Sequence, residues 1–137
     1  MELDDELGFG GTERVFTLEE ARDLMPEVLE RAGLIVRMRA DLAELALAIN
    51  TEDDSHAGGI AEAKALEAHL NEAISWFASH GIEVKGIAPL LIDFPSRWEG
   101  MDVRLCWVEG ETDLAWYHRS ELGFAGRRPL RAGESSG

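Results

Sequence analysis

The stretch that decides the fold runs from Leu90 to His118, LLIDFPSRWEGMDVRLCWVEGETDLAWYH. Leu90, Ile92 and Phe94 alternate with Leu91 and Asp93. Val103, Leu105 and Trp107 alternate with Asp102, Arg104 and Cys106, and Leu114, Trp116 and His118 alternate with Ala115 and Tyr117. A period of two sends successive side chains to opposite faces of a strand. Pro95–Gly100 and Glu109–Thr112 hold the turn residues, so the spacing predicts a three-stranded antiparallel meander with one apolar face.

A register follows from that face. With Val108 opposite Asp113 and Phe94 opposite Met101, all the large apolar side chains fall on one side. Trp116 and His118 then look inward beside Leu105 and Val103. The other side carries Asp93, Asp102, Arg104, Cys106 and Tyr117. Arg104 lies diagonal to Asp93, which predicts a structural ion pair between them. Arg14-Val15-Phe16 could add a short edge strand.

Upstream the period is helical. Thr17-Leu18-Glu19-Glu20 has capping-box spacing, with the Thr17 hydroxyl accepting from the Glu20 amide. Pro26 is too far along for a first turn, so the sequence predicts a short helix over 18–25 and a long one opening at Pro26. One kinked helix is the competing reading. Val28, Ile35, Leu42 and Ile49, with Met38 and Leu45 between them, form a continuous stripe. TEDDSHAGG (51–59) breaks it, and a second amphipathic helix is expected over about 60–80, ended by Gly81. The expected architecture is α+β: an antiparallel helical hairpin packed on a small three-stranded meander, one domain over 14–130.

Composition bounds the rest. The acidic segment 1–13 and the segment 131–137 (RAGESSG) have nothing to bury and are expected to be disordered tails. No membrane span or signal peptide is legible, which leads to the expectation of a cytoplasmic protein. A single cysteine, Cys106, excludes an internal disulfide and a zinc site built on several thiolates. A net charge of −14 argues against nucleic-acid and anionic-membrane partners.

Chemistry concentrates at the end of the meander. Trp116, His118, Arg127 and Arg128 are the candidate ligand-binding residues, the two arginines offering guanidinium forks to a small anionic compound. GFAGRRPL (123–130) lacks the strand–loop–helix setting of known phosphate loops, and its arginines could equally tie the chain to Glu111 or Glu121. Asp93 points away from His118 in this register, which argues against a direct dyad. No metal motif such as His-x-His is present. A metal would need His118 with remote carboxylates, and the residues name no cofactor, which stays unknown. Cys106 has no evident activator.

The strings Ile92-Asp93-Phe94-Pro95, Cys106-Trp107, Trp116-x-His118 and Gly123-Phe124-x-Gly126-Arg127 carry a resemblance. Over Arg14–Leu130 the chain resembles a family of small bacterial proteins, domain-of-unknown-function family 2203. The family brings no assigned activity, cofactor or catalytic residue. The resemblance implies a stand-alone bacterial cytoplasmic protein.

A helix from Pro26 to Asn50 would be ~37 Å long, whereas three five-residue strands cover ~17 by ~14 Å. The uncovered stripe predicts a homo-oligomer, a dimer through the hairpin being the simplest closure. The favoured reading is thus a non-enzymatic interaction protein. The alternative is an anionic-ligand or metal pocket, possibly catalytic, around His118 and the Gly123–Arg128 loop.

Overall fold

The computed structural model describes residues 14–51 and 57–130. The tails expected over 1–13 and 131–137, and most of the expected break, lie outside the described residues.

Helix α1 spans Leu18–Thr51. It opens on the expected capping box: the Glu20 amide donates to Thr17 Oγ1 at 3.0 Å and the Thr17 amide donates to Glu20 Oε1 at 2.9 Å. Pro26 lies inside this helix and starts no new one, so the two-helix expectation gives way to the single-helix alternative. An interior proline costs about 3 kcal/mol. Ala21, Met25, Val28, Ala32 and Ile35 are buried on one stripe that runs past it, and each of the larger ones returns about 1.5–3 kcal/mol.

Helix α2 spans Ala57–Ser79 and so begins earlier than expected. Arg31 on α1 stands over the Trp76 ring at 5.0 Å, and Leu45 lies beside Leu66, so the two helices run past each other in opposite directions. The end of α2 is a Schellman motif: the Ile82 amide donates to Phe77 O at 2.9 Å and the Gly81 amide to Ala78 O at 3.0 Å. Gly81 has φ +83°, and a β-carbon there would come 2.7 Å from Arg14 Cβ. Only glycine meets both demands.

The sheet has five antiparallel strands in sequential order: β1 (Glu83–Ile87), β2 (Leu90–Trp98), β3 (Met101–Val108), β4 (Trp116–Arg119) and β5 (Arg128–Pro129). The three-stranded expectation misses β1 and β5. In β1, Gly86 and a register shift between Val84 and Gly86 break the alternation. At two residues, β5 is too short to show a period. Arg14-Val15-Phe16 is not a strand, although the Phe16 amide donates to Pro95 O at 2.7 Å and Ser96 Oγ donates to Phe16 O at 2.6 Å.

The register also differs from expectation. Phe94 pairs with Leu105, because the β2–β3 turn is Glu99-Gly100, with φ of 50° and 82°, and does not start at Pro95. Pro95 stays in the strand because its carbonyl faces Phe16, on the side away from β3. Its missing N–H therefore removes no β2–β3 bond. This displacement of four residues preserves strand parity. Leu90, Ile92, Phe94, Val103, Leu105 and Trp107 all share the helix-facing side, where they pack with Val28, Ile35 and Phe77.

β3 and β4 are displaced by a single residue. His118 pairs with Arg104 and Trp116 with Cys106, so both lie on the outer side, opposite Trp107. Tyr117 goes inward, its ring 4.5 Å from Trp98. The cause is the loop before β4. The Glu111 carboxylate accepts from the Val108 amide at 3.0 Å, and its carbonyl accepts from Trp107 Nε1 at 2.9 Å. Leu114 is buried before the strand begins, and the strand enters one residue later than alternation alone suggests.

Candidate functional site on the outer face of the sheet

The one-residue displacement builds the site. It turns His118 onto the face that carries Asp93 and Cys106, contrary to the expectation that Asp93 and His118 point apart. The segment after β4 lies against this face. A 3₁₀ turn at Phe124–Gly126 is held back by Gly126, whose absent β-carbon would sit 2.7 Å from Leu122 Cβ. Arg127 fastens the segment. Its guanidinium donates to Glu111 Oε1 at 2.9 Å and to Cys106 O at 3.3 Å, and it stands over the Trp116 and Phe124 rings at 4.8 and 4.7 Å.

Beneath, Asp93 and His118 are each 3% exposed and Cys106 is fully buried. His118 Nε2 lies 3.2 Å from Asp93 Oδ2, and His118 Nδ1 lies 2.8 Å from Arg119 O. A carbonyl oxygen only accepts, so Nδ1 carries a hydrogen and Nε2 is the nitrogen turned to the carboxylate. Asp93 Oδ1 is buried with no hydrogen-bond partner. Burial pushes the Asp93 carboxyl upward, against the opposing pull of the imidazole. The Cys106 thiol is pushed up to about 12, by burial first and by the Asp93 charge second.

Beside this group opens a pocket of about 240 Å³, bordered by Lys85, Arg104, Ser120 and Phe124, with Asp93 and His118 in its wall. The expected Asp93–Arg104 pair does not form. Arg104 faces Pro95 and His118 across the strands, and its Nε donates to Glu83 Oε1 at 3.0 Å. Its Nη1 donates to Ser120 Oγ at 2.9 Å. Lys85 lies 3.4 Å from the same Glu83 oxygen. A larger hollow of about 790 Å³ lies between α2 and β1. Two of its polar side chains are already engaged: Arg14 Nη1 donates to His80 O, and His80 Nδ1 lies 2.9 Å from Trp76 O.

A family described as uncharacterized conserved protein (DUF2203) matches residues 14–130. The chain belongs to it. Searches of curated proteins and of solved structures found no match for this DUF2203 chain. Among the described residues no helix is long and apolar enough to cross a membrane.

Of the four candidate ligand residues, His118 is in the pocket wall, while Trp116 and Arg127 form the stack that fastens the overlying segment. Arg128 is exposed in β5, paired across to Tyr117. Lys85 and Ser120 escape sequence reasoning; Cys106 lies on the outer face as expected, and what escapes is its nearness to His118. Asp93 escapes it as a partner of His118. Their signal, an acid, a thiol and an imidazole on three strands, becomes visible only once the register is known.

Proposed function

We propose that this protein binds a small anionic molecule, a carboxylate or a phosphate ester, in the pocket on the outer face of the sheet. The observation that carries the reading is the convergence of Lys85, Arg104 and Ser120 around a hollow walled by a buried carboxylate–imidazole pair. In a chain of net charge −14, two cations that share the single carboxylate of Glu83 are an electrostatic exception, and pockets with a few convergent polar groups are the usual ligand sites. His118 is held from both sides, Nδ1 by Arg119 O and Nε2 turned to Asp93 Oδ2. The imidazole therefore orients and does not attack, and binding is favoured over catalysis.

The test is thermal unfolding with phosphate and with simple di- and tricarboxylates, on the parent and on Lys85→Ala and Arg104→Ala. The parent's melting temperature should rise and the rise should shrink in both variants. No rise in the parent, or equal rises in all three, refutes the reading.

A second reading is self-association through the helices. Burial along α1 stops at Ile35. Beyond it Leu42 and Leu45, with Leu66 opposite, are half-buried, and Ile60 is 52% exposed. The 34 residues of α1 extend about 51 Å, against about 30 Å for the nine of β2. A copy of the chain laid on the far ends would cover this stripe. Light scattering at micromolar concentration tests it, and a monomer sinks it.

A further inference from the structure

We propose that Asp93, Cys106 and His118 form a binding site for one divalent transition-metal ion of zinc type, with an open coordination position facing the pocket. The three side chains come from β2, β3 and β4. Their ligand atoms, a carboxylate oxygen, Sγ and an imidazole nitrogen, all lie within 4.8 Å of one another. Around a tetrahedral ion with bonds of ~2.0 to ~2.3 Å, ligand atoms sit ~3.3–3.7 Å apart, a distance small rotamer adjustments reach from here.

Hydrogen-bond accounting points the same way. The Nδ1 hydrogen of His118 is given to Arg119 O. That leaves the Nε2 lone pair directed at Asp93 Oδ2, another acceptor, 3.2 Å away. Two buried lone pairs that face each other need something positive between them, a proton or a metal ion. A proton satisfies one carboxylate oxygen; for Asp93 Oδ1, buried without a hydrogen-bond partner, the neighbouring Cys106 thiol is the remaining donor, and a weak one. A metal ion bound by one carboxylate oxygen, the imidazole and the thiolate separates the facing lone pairs, and a water on its open position would donate to the second oxygen.

The donor set selects the metal. One sulfur, one nitrogen and one oxygen suit zinc or cobalt and disfavour magnesium and calcium, which take oxygen shells. A thiolate and a carboxylate neutralise a dication, so the filled site buries no net charge. The Nδ1–H bond to Arg119 O fixes the ring and its tautomer, as the outer partners of metal-bound histidines do. Arg127, whose charge acts on the thiol, is held by Glu111 at 2.9 Å.

Structural zinc sites are closed by four protein ligands, whereas sites that receive a ligand keep one position open. Three ligands stand here, and Asp93 and His118 also line the pocket. On the anion-binding reading proposed above, a carboxylate or phosphate oxygen would take the fourth position, with Lys85 and Arg104 beside it. That last step rests on the anion reading; the metal site does not.

Cobalt(II) chloride is the probe, added to full-length protein stripped with a chelator. The parent should retain about one cobalt per chain, with the visible bands of four-coordinate cobalt and a near-ultraviolet thiolate-to-cobalt band. Cys106→Ser should lose the thiolate band. Asp93→Asn should keep it while binding at least about tenfold more weakly. A parent that retains no cobalt overturns the proposal, as does a spectrum without the thiolate band or equal retention in all three proteins. The thiolate band is read on the parent, so the test survives a variant that fails to fold. Phosphate added afterwards separates the two ideas. Bound cobalt with bands unmoved by phosphate, and metal-free melting also unmoved, leaves the metal site and removes the anion reading. A phosphate response without cobalt retention does the reverse.

Discussion

His118 and Asp93, 25 residues apart in the chain, meet with Nε2 and Oδ2 3.2 Å from each other beneath the outer face of the sheet. Asp93→Ala should lower stability by about 2–4 kcal/mol, because it leaves a buried imidazole nitrogen unpaired. Asp93→Asn should cost less, since its amide can donate to Nε2. Urea midpoints of the two metal-free variants check the order. A larger loss for asparagine than for alanine would contradict the assigned tautomer.

In the metal-free protein Cys106 should be inert towards disulfide exchange. Its thiol is fully buried and pushed up to about 12, so at neutral pH almost no thiolate exists to react. A disulfide-exchange reagent should label native protein only at the rate of unfolding and label denatured protein at once. Stoichiometric labelling of native protein within minutes would contradict this packing.

Glu109 predicts a pH dependence. Its carboxylate accepts both Arg39 guanidinium nitrogens at 2.8 Å and the Leu90 amide at 2.9 Å. Arg39 first and the amide second hold it down at about 2, below its ordinary 4.5. A carboxyl lowered in the folded state adds stability above its unfolded value, and that stability is lost as pH falls from about 4.5 towards 2. Glu109→Gln should cost about 1–2 kcal/mol near pH 7, a figure reduced for partial solvent screening. The gap to the parent should close across that acid window. Melting temperatures from pH 7 to 2 give the comparison.

Gly81→Ala should destabilise by about 1–2 kcal/mol for the positive φ alone, and more for the 2.7 Å approach to Arg14 Cβ. Removing the Arg14 side chain beyond Cβ should recover little, because the nearest atom is Cβ itself. Thermal melts of Gly81→Ala combined with Arg14→Ala or with Arg14→Gly, which alone removes that atom, separate the two contributions.

The helices, the capping box, the Gly81 stop and the apolar face of β2 and β3 were legible in the sequence, because each depends on local spacing. The face survived a wrong β2–β3 pairing, since a displacement of four residues leaves alternate side chains on the same sides. The site did not survive a displacement of one. That residue was set by Glu111 capping Val108, a loop contact with no periodic signature. Pro26 misled for a related reason: its local cost is visible in sequence, whereas the tertiary burial that outweighs it is not. The Arg127 tie to Glu111, by contrast, was one of the two roles its charge allowed.

The Arg127 stack has a consequence for biosynthesis. The strands bearing Asp93, Cys106 and His118 leave the ribosome before the segment that covers them, and that segment is fastened by a residue three places from the end of the family-matched region. A released chain ending near Ser120 would hold most of the apolar interior while the outer face around Asp93, Cys106 and His118 lay bare to water. Covering Asp93, Cys106 and His118 is therefore the last act of folding.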